Sequence, residues 1–163
     1  MSEYYVKNLA VNLTLDHASN ILENALSVGE AAGLLPLTVA ILDTGGHLIA
    51  LKRQDGSGIM RADIAIGKAW GALGMGISSR TIRDRLADRP SFQAALSCAS
   101  QGRFIPVPGG VLICNSQQEV IGAIGISGDA SDKDEYCAIE AVKQSGFISH
   151  PEEAVENWAQ AGL

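Results

Sequence analysis

The chain has 163 residues, 47% of them hydrophobic and 18% charged, which is enough to bury a core without disulfides or a structural metal. Twelve Lys and Arg stand against 18 Asp and Glu, and the formal net charge of -6 argues against a nucleic-acid partner, because phosphate binding draws on clustered basic residues. No apolar run approaches the ~20 residues of a membrane span, so no membrane partner is expected, and the apolar excess points to burial between copies in a homo-oligomer.

Met1 to Lys7 lacks a basic start followed by an apolar core, which makes a cytoplasmic location the expectation. Thr14 is a good N-cap for a helix whose Leu15, Ala18, Ile21, Leu22, Ala25 and Leu26 follow helical spacing and whose end is marked by Gly33. Leu37 to Asp43 and His47 to Arg53 read as two strands joined across Thr44-Gly45-Gly46 in a hairpin. From Arg61 to Met75 a helix is apolar or small nearly all round, apart from Asp63 and Lys68, so it is expected to be buried on more than one side. Arg80 to Leu86 and Ser91 to Ser100 are two shorter helices divided at Arg89-Pro90. The arginines at 80, 83, 85 and 89, interleaved with Asp84 and Asp88, read as a salt-bridged surface.

Val111 to Asn115 and Glu119 to Ile126 form a second hairpin across Ser116-Gln117-Gln118. Ser131 is placed to cap a helix from Asp132 to Ser145, with Asp134 at the capping-box position and Gly146 as its stop. A last amphipathic helix is predicted to begin near Pro151 and to carry Ala154, Val155 and Trp158. Paired strands separated by helices predict the α+β class, an antiparallel sheet with helices packed on it, in one domain spanning residues 1–163. Gly122, Gly125 and Gly128 are not spaced as the dinucleotide fingerprint, which disfavours a doubly wound nucleotide fold.

The chemistry-bearing residues are scattered. Lys68 stands in an apolar helix, where desolvation lowers the pKa of an amine; it reads as a carboxylate-binding cation or a base, or as a snorkelling lysine paired with Asp63 or Asp134. His47, just after the hairpin glycines, is suited to ligating iron or moving a proton, or is simply a solvated polar residue. Asp43, Arg53 and Asp55 bracket the first hairpin as an acid–base group or as turn and surface pairs. Arg103, before Pro106-Val107-Pro108-Gly109-Gly110, is placed to clamp a carboxylate or propionate. Gly109 and Gly110 lead a strand whose exposed N–H groups would hold an anionic or polar ligand, unless they only permit positive φ. Asp134 and Glu135 suit a helix N-terminus, and functionally a metal contact or proton transfer across a subunit interface. Cys98, Cys114 and Cys137, odd in number and set among apolar residues, read as reduced, buried thiols. His17, His47 and His150 have no metal-ligand spacing, so no metal site is expected.

The ordered segments Val39 to Ala50, Arg53-Gln54-Asp55-Gly56, Gly67-Lys68-Ala69, Pro108 to Ile113, Ile121 to Gly128 and Asp134-Glu135 resemble the GlcG/HbpS-like family, also called haem-degrading or DUF336, which includes the C-terminal domain of PduO-type adenosyltransferases. The resemblance spans about Leu13 to Gly146. It implies a profilin-like α+β fold of about five antiparallel strands flanked by helices, assembly into homo-oligomers that are often octamers, and haem or iron binding in secreted members. Two departures stand out: Leu112 occupies a position where many members have proline, and Trp70 lies among Ala69, Gly71, Ala72 and Gly74, which implies a reshaped pocket or a close helix contact.

Two functions follow as expectations. One is a cytoplasmic oligomer that binds haem, another tetrapyrrole or a small carboxylated metabolite through Lys68, Arg103, Gly109, Gly110 and Arg53. The other is a small cofactor-independent isomerase, tautomerase or lyase moving protons on a carboxylated intermediate with Lys68, His47 or Asp134.

Overall fold

A computed structural model describes residues 6–163, so the first five residues of the N-terminal segment considered above lie outside the described part. The elements in chain order are α1 (Leu15–Ala31), β1 (Thr38–Asp43), β2 (Leu48–Arg53), α2 (Arg61–Met75), α3 (Ser79–Leu86), α4 (Pro90–Ala99), β3 (Gly110–Cys114), β4 (Val120–Ser127), α5 (Ser131–Gln144) and β5 (Ile148–His150). The strands form one antiparallel sheet in the order β2-β1-β4-β3-β5. The fold is α+β, as the hairpin pattern predicts. Thr14 caps α1 by accepting from the His17 N–H at 3.1 Å.

Period-two alternation sorts the strands between two helical layers. Val39, Ile41, Val111, Ile113, Ile124 and Ile126 pack against α1 and α5 in the main core. Leu42, Leu112, Cys114 and Ala123 turn the other way, against Ala69 and Ala72 of α2. On that second face the sheet is built of small residues, and Gly110 pairs with Gly125 in register. A Cβ at Gly125 would lie 1.8 Å from the Ala65 carbonyl oxygen, and one at Gly110 would lie 2.2 Å from that of Lys68. The helix backbone therefore rests directly on the sheet.

Three expectations are corrected. The segment after Pro151 is irregular and closes with one 3-10 turn, Trp158–Gln160, in place of an amphipathic helix. Three residues before Pro151 are taken as an edge strand on β3, and tertiary anchors then hold the tail: Trp158 stacks on Tyr136 at 3.6 Å, and the Glu153 carbonyl accepts from Arg80. Those contacts override a weak helical pattern that has few apolar positions to bury. The N-cap of α5 is Ala130 rather than Ser131, because Asp129 turns its carboxylate to the Ala130 N–H at 2.7 Å and Asp134 reaches back to the Asp129 N–H at 3.0 Å. Cys114 and Cys137 are buried, whereas Cys98 is exposed because α4 buries no residue.

Candidate functional site

Lys68 and Asp134 meet inside the protein. The Lys68 ammonium donates to the Ile126 carbonyl at 2.8 Å and to Asp134 Oδ2 at 3.0 Å, at the junction of α2, the end of β4 and the start of α5. Both side chains are within 2% of complete burial. Burial pushes the Lys68 amine below its ordinary value and the Asp134 carboxyl above its own, and their mutual attraction opposes both shifts. Gly109 and Gly110 wrap this pair. A Cβ at Gly109 would lie 2.9 Å from Lys68 Nζ, and the Gly110 N–H donates to Ser79 Oγ at 2.8 Å. Of the open amides expected along this segment, that of Gly110 is thus taken up by Ser79 of α3.

Glu135, one residue on, is fully buried, with Arg80 Nε 3.1 Å from Oε2 but out of hydrogen-bond alignment, so neither carboxylate oxygen has a hydrogen bond among the described residues. Burial raises its carboxyl to about 7, against the attraction of Arg80. Among the described residues no cluster of three or more His, Cys, Asp and Glu could hold a metal ion.

Arg103 is the exposed candidate that lies on the outer side of α2. Gly67 and Gly71, one turn apart, let residues 103–105 pass close to the helix: a Cβ at Gly67 would lie 2.6 Å from the Arg103 carbonyl oxygen, and one at Gly71 would lie 3.2 Å from the Phe104 ring. This docking carries Arg103 to Trp70, where its guanidinium carbon sits 4.1 Å from the ring centroid. Arg103 Nε donates to the Ser100 carbonyl at 3.2 Å, and its two terminal nitrogens have no hydrogen-bond partner among the described residues. Beside it a groove of about 190 Å³ runs between α2 and α4, lined by Trp70, Gly74, Met75, Leu96, Ala99 and Phe104 among others.

Across Trp70 a cleft of about 120 Å³ joins this groove to the tip of the first hairpin, with Thr44, Gly45, Gly46, Leu73 and Gly74 in its wall. Gly46 is needed there both for its φ of +79° and because a Cβ would lie 2.9 Å from the Trp70 indole. His47 follows, its side chain 81% exposed, with Nδ1 at 3.2 and 3.3 Å from the two Asp43 carboxylate oxygens. It borders a second concavity of about 530 Å³ that includes Asp43, Thr44 and Gly45.

Arg53 stands apart. It donates to the Ser57 carbonyl at 2.6 Å and lines a separate hollow with Gln54 and Asp55. The structure therefore divides the sequence candidates into a buried group, Lys68, Asp134, Gly109 and Gly110, and two separate exposed residues, Arg103 stacked on Trp70 and His47 at the hairpin tip beside residues 10–13. Met75, Leu96 and Phe104 escaped the sequence reading because the segments carrying them look like ordinary helix and loop. The Gly67/Gly71 spacing on α2 was the signal that a second segment docks there.

The fold is that of an HbpS-like α+β domain. The chain belongs to the family described as haem degrading protein HbpS-like, whose sequence profile matches residues 13–143. It is 28% identical over 109 residues, 66% of this chain and 75% of the relative, to an uncharacterised 15.0 kDa protein from the dhaT-dhaS intergenic region of Citrobacter freundii. Among solved structures it is similar to PduOC in a haem complex, with a TM-score of 0.76 at 22% identity over 85% of this chain and 98% of the other. It is also similar to ORFY of Klebsiella pneumoniae, a DUF336 protein, with a TM-score of 0.75 at 23% identity over 89% and 98% of the two chains. HbpS aligns with a TM-score of 0.69 at 23% identity over 88% of this chain and 96% of its own.

Proposed function

We propose that this chain is a cytoplasmic, homo-oligomeric binding protein that takes a haem or related tetrapyrrole, or a small carboxylated metabolite, on the outer side of α2. The observation that carries this reading is the Arg103–Trp70 stack at the mouth of an apolar groove. The indole and the side chains of Met75, Leu96 and Phe104 offer an apolar wall to a flat hydrophobic edge. The free terminal nitrogens of Arg103 are suited to a carboxylate such as a haem propionate. Membership of the HbpS-like family and the haem complex of the similar PduOC support the tetrapyrrole form of the reading.

The residues present fit haem. The groove alone, at about 190 Å³, is below the roughly 300–1,000 Å³ of closed ligand pockets, so it accepts an edge of the macrocycle, and the cleft beside Trp70 extends that surface. Bound haem would supply a redox-active iron centre. Arg103 would anchor a propionate, while Trp70, Leu96 and Phe104 would exclude water from the ring edge. Apolar α4, with no buried residue, would supply surface for self-association.

The test is a titration of the purified protein with haemin, followed by visible absorbance and repeated with Arg103→Ala and Leu96→Glu. Saturable binding at a fixed stoichiometry, weakened in both variants, supports the tetrapyrrole site. Saturable binding unchanged in both variants places the ligand elsewhere. Unsaturable absorbance removes tetrapyrroles and leaves small carboxylic acids, whose binding Arg103→Ala is then expected to weaken.

The proton-transfer alternative rests on Lys68, His47 and Asp134; a substrate would reach Lys68 and Asp134 only by displacing the Gly109-Gly110 segment packed over them, and the exposed His47 lies apart from that pair on the hairpin tip. The binding reading is favoured on that ground.

A further inference from the structure

The groove between α2 and α4 is made of two helix faces and a ring. Trp70, Gly71, Gly74 and Met75 fall on one face of α2, Leu96 and Ala99 on one side of α4, and the nearly buried Phe104 completes the wall. At the two glycines α2 presents bare backbone: a Cβ at Gly71 would meet the Phe104 ring at 3.2 Å, and the nearest atom to one at Gly74 belongs to the benzo edge of the indole, 4.0 Å away. The volume enclosed is about 190 Å³. An apolar cavity of about 150 Å³ holds benzene, so a benzene-sized ring with a short substituent matches this one.

The polar side chains of the wall are few and engaged elsewhere. Ser100 Oγ donates to the Ser97 carbonyl at 3.0 Å and accepts from the Phe104 N–H at 3.2 Å. The indole N–H of Trp70 lies on the Gly46 side, in the neighbouring cleft, since a Cβ at Gly46 would sit 2.9 Å from Nε1. None of the lining residues is charged. The cation beside the groove is Arg103, which touches two residues of the wall: its guanidinium covers Trp70, and its Nε donates to the Ser100 carbonyl. That leaves its terminal nitrogens to take both oxygens of one carboxylate. A polar substituent on the ring would be desolvated without a partner, and a second carboxylate would be desolvated without a counter-charge. We infer that this groove is a binding site for a small aryl monocarboxylic acid, with its carboxylate on Arg103 and its unsubstituted ring among Trp70, Leu96 and Phe104. The assignment rests on the metabolite form of the proposed function and narrows it to one chemical class.

The experiment is a calorimetric titration of the full chain with phenylacetate, acetate, succinate and 4-hydroxyphenylacetate. It compares wild type, Arg103→Ala and Ala99→Phe, with circular dichroism to confirm that each variant is folded. Phenylacetate should bind wild type at one per chain and about tenfold tighter than the other three, which lack the ring or bring a polar group that the wall cannot pair. Arg103→Ala should weaken it at least about tenfold by removing the charged donors. Ala99→Phe, at an exposed position of α4, should weaken it comparably by filling the groove. Succinate or 4-hydroxyphenylacetate bound as tightly as phenylacetate, and lost in Arg103→Ala, overturns the aryl class while leaving the carboxylate reading standing. Phenylacetate bound equally by wild type and both variants sits elsewhere and overturns the site. Haemin that binds through Arg103 where phenylacetate does not bind overturns the aryl assignment and leaves the tetrapyrrole form. Failure of haemin and of all four acids to bind wild type saturably overturns both.

Discussion

Lys68 Nζ lies 3.0 Å from Asp134 Oδ2, with both side chains sealed from solvent, and this pair ties α2 to the N-terminus of α5 through the sheet. Neither charge is tolerable there alone, since removing one partner of a buried pair leaves the other desolvated. Lys68→Met is expected to lower unfolding free energy by about 3–5 kcal/mol at neutral pH. Without the ammonium, the Asp134 carboxyl moves further above its unfolded value. The loss should therefore be smaller at pH 5 than at pH 8, where the folded protein must hold an unpaired carboxylate. Urea melts at the two pH values check this, and an equal loss at both would show that Asp134 carries no buried charge.

Gly125 measures how closely α2 rests on the sheet. Its missing Cβ leaves room for the Ala65 carbonyl, which a methyl group would meet at 1.8 Å, and the obstacle is backbone rather than a movable side chain. Gly125→Ala should lower stability by about 1–3 kcal/mol or more, in the manner of overpacking, because the whole helix has to lift. Lifting α2 also moves Trp70 against Arg103. Haemin binding by the folded fraction should weaken with it, as read by absorbance titration beside a thermal melt.

The sequence showed β1 to β4 and the first five helices because they follow clean periodicities of 2 and 3.6, with Thr14 and Gly33 marking the ends of α1. Those signals are local. Residues 148–150 are too few to show alternation, and they form a strand only because the β3 edge is open to them. The Lys68–Asp134 pairing was among the readings the sequence left open, and it spans 66 positions that only the fold brings together. Trp70 stood out as a large side chain among small ones, but its partner Arg103 arrives through the Gly67/Gly71 stripe, a property of two segments at once. Glu135 was legible as a first-turn carboxylate, while its complete burial against Arg80 was not.

Helix α4 predicts how the chain meets its own copies. Phe92, Ala94, Ala95 and Leu96 lie on a helix that buries no residue, with Phe92 38% exposed beneath the Arg89 guanidinium. An apolar helix left outside is stabilised when another surface covers it. Ala95→Glu, which adds a charge to that surface without touching the core, is expected to reduce the assembly to smaller species in sedimentation velocity, with the circular dichroism spectrum unchanged. A wild-type protein that sediments as a monomer would show that α4 is not a self-association surface.

Glu135 sets a pH dependence whose sign follows from its burial. Its carboxyl titrates at about 7 in the folded protein, against an ordinary 4.5. Between those values the folded state holds a proton that the unfolded state has released, so this residue's contribution to stability is full below about 4.5 and is lost as pH rises through about 7. Glu135→Gln keeps the size of the side chain and an oxygen for Arg80, but removes the charge that must be buried at high pH. The variant should therefore gain on wild type as pH rises from 5 to 8, by up to about 3 kcal/mol, while the two remain close at pH 5. Denaturation curves of both proteins across that range test it, and the difference between them cancels the titration of the other carboxylates. A difference independent of pH would mean that Glu135 stays ionised throughout, held by Arg80 more firmly than an unaligned contact at 3.1 Å accounts for.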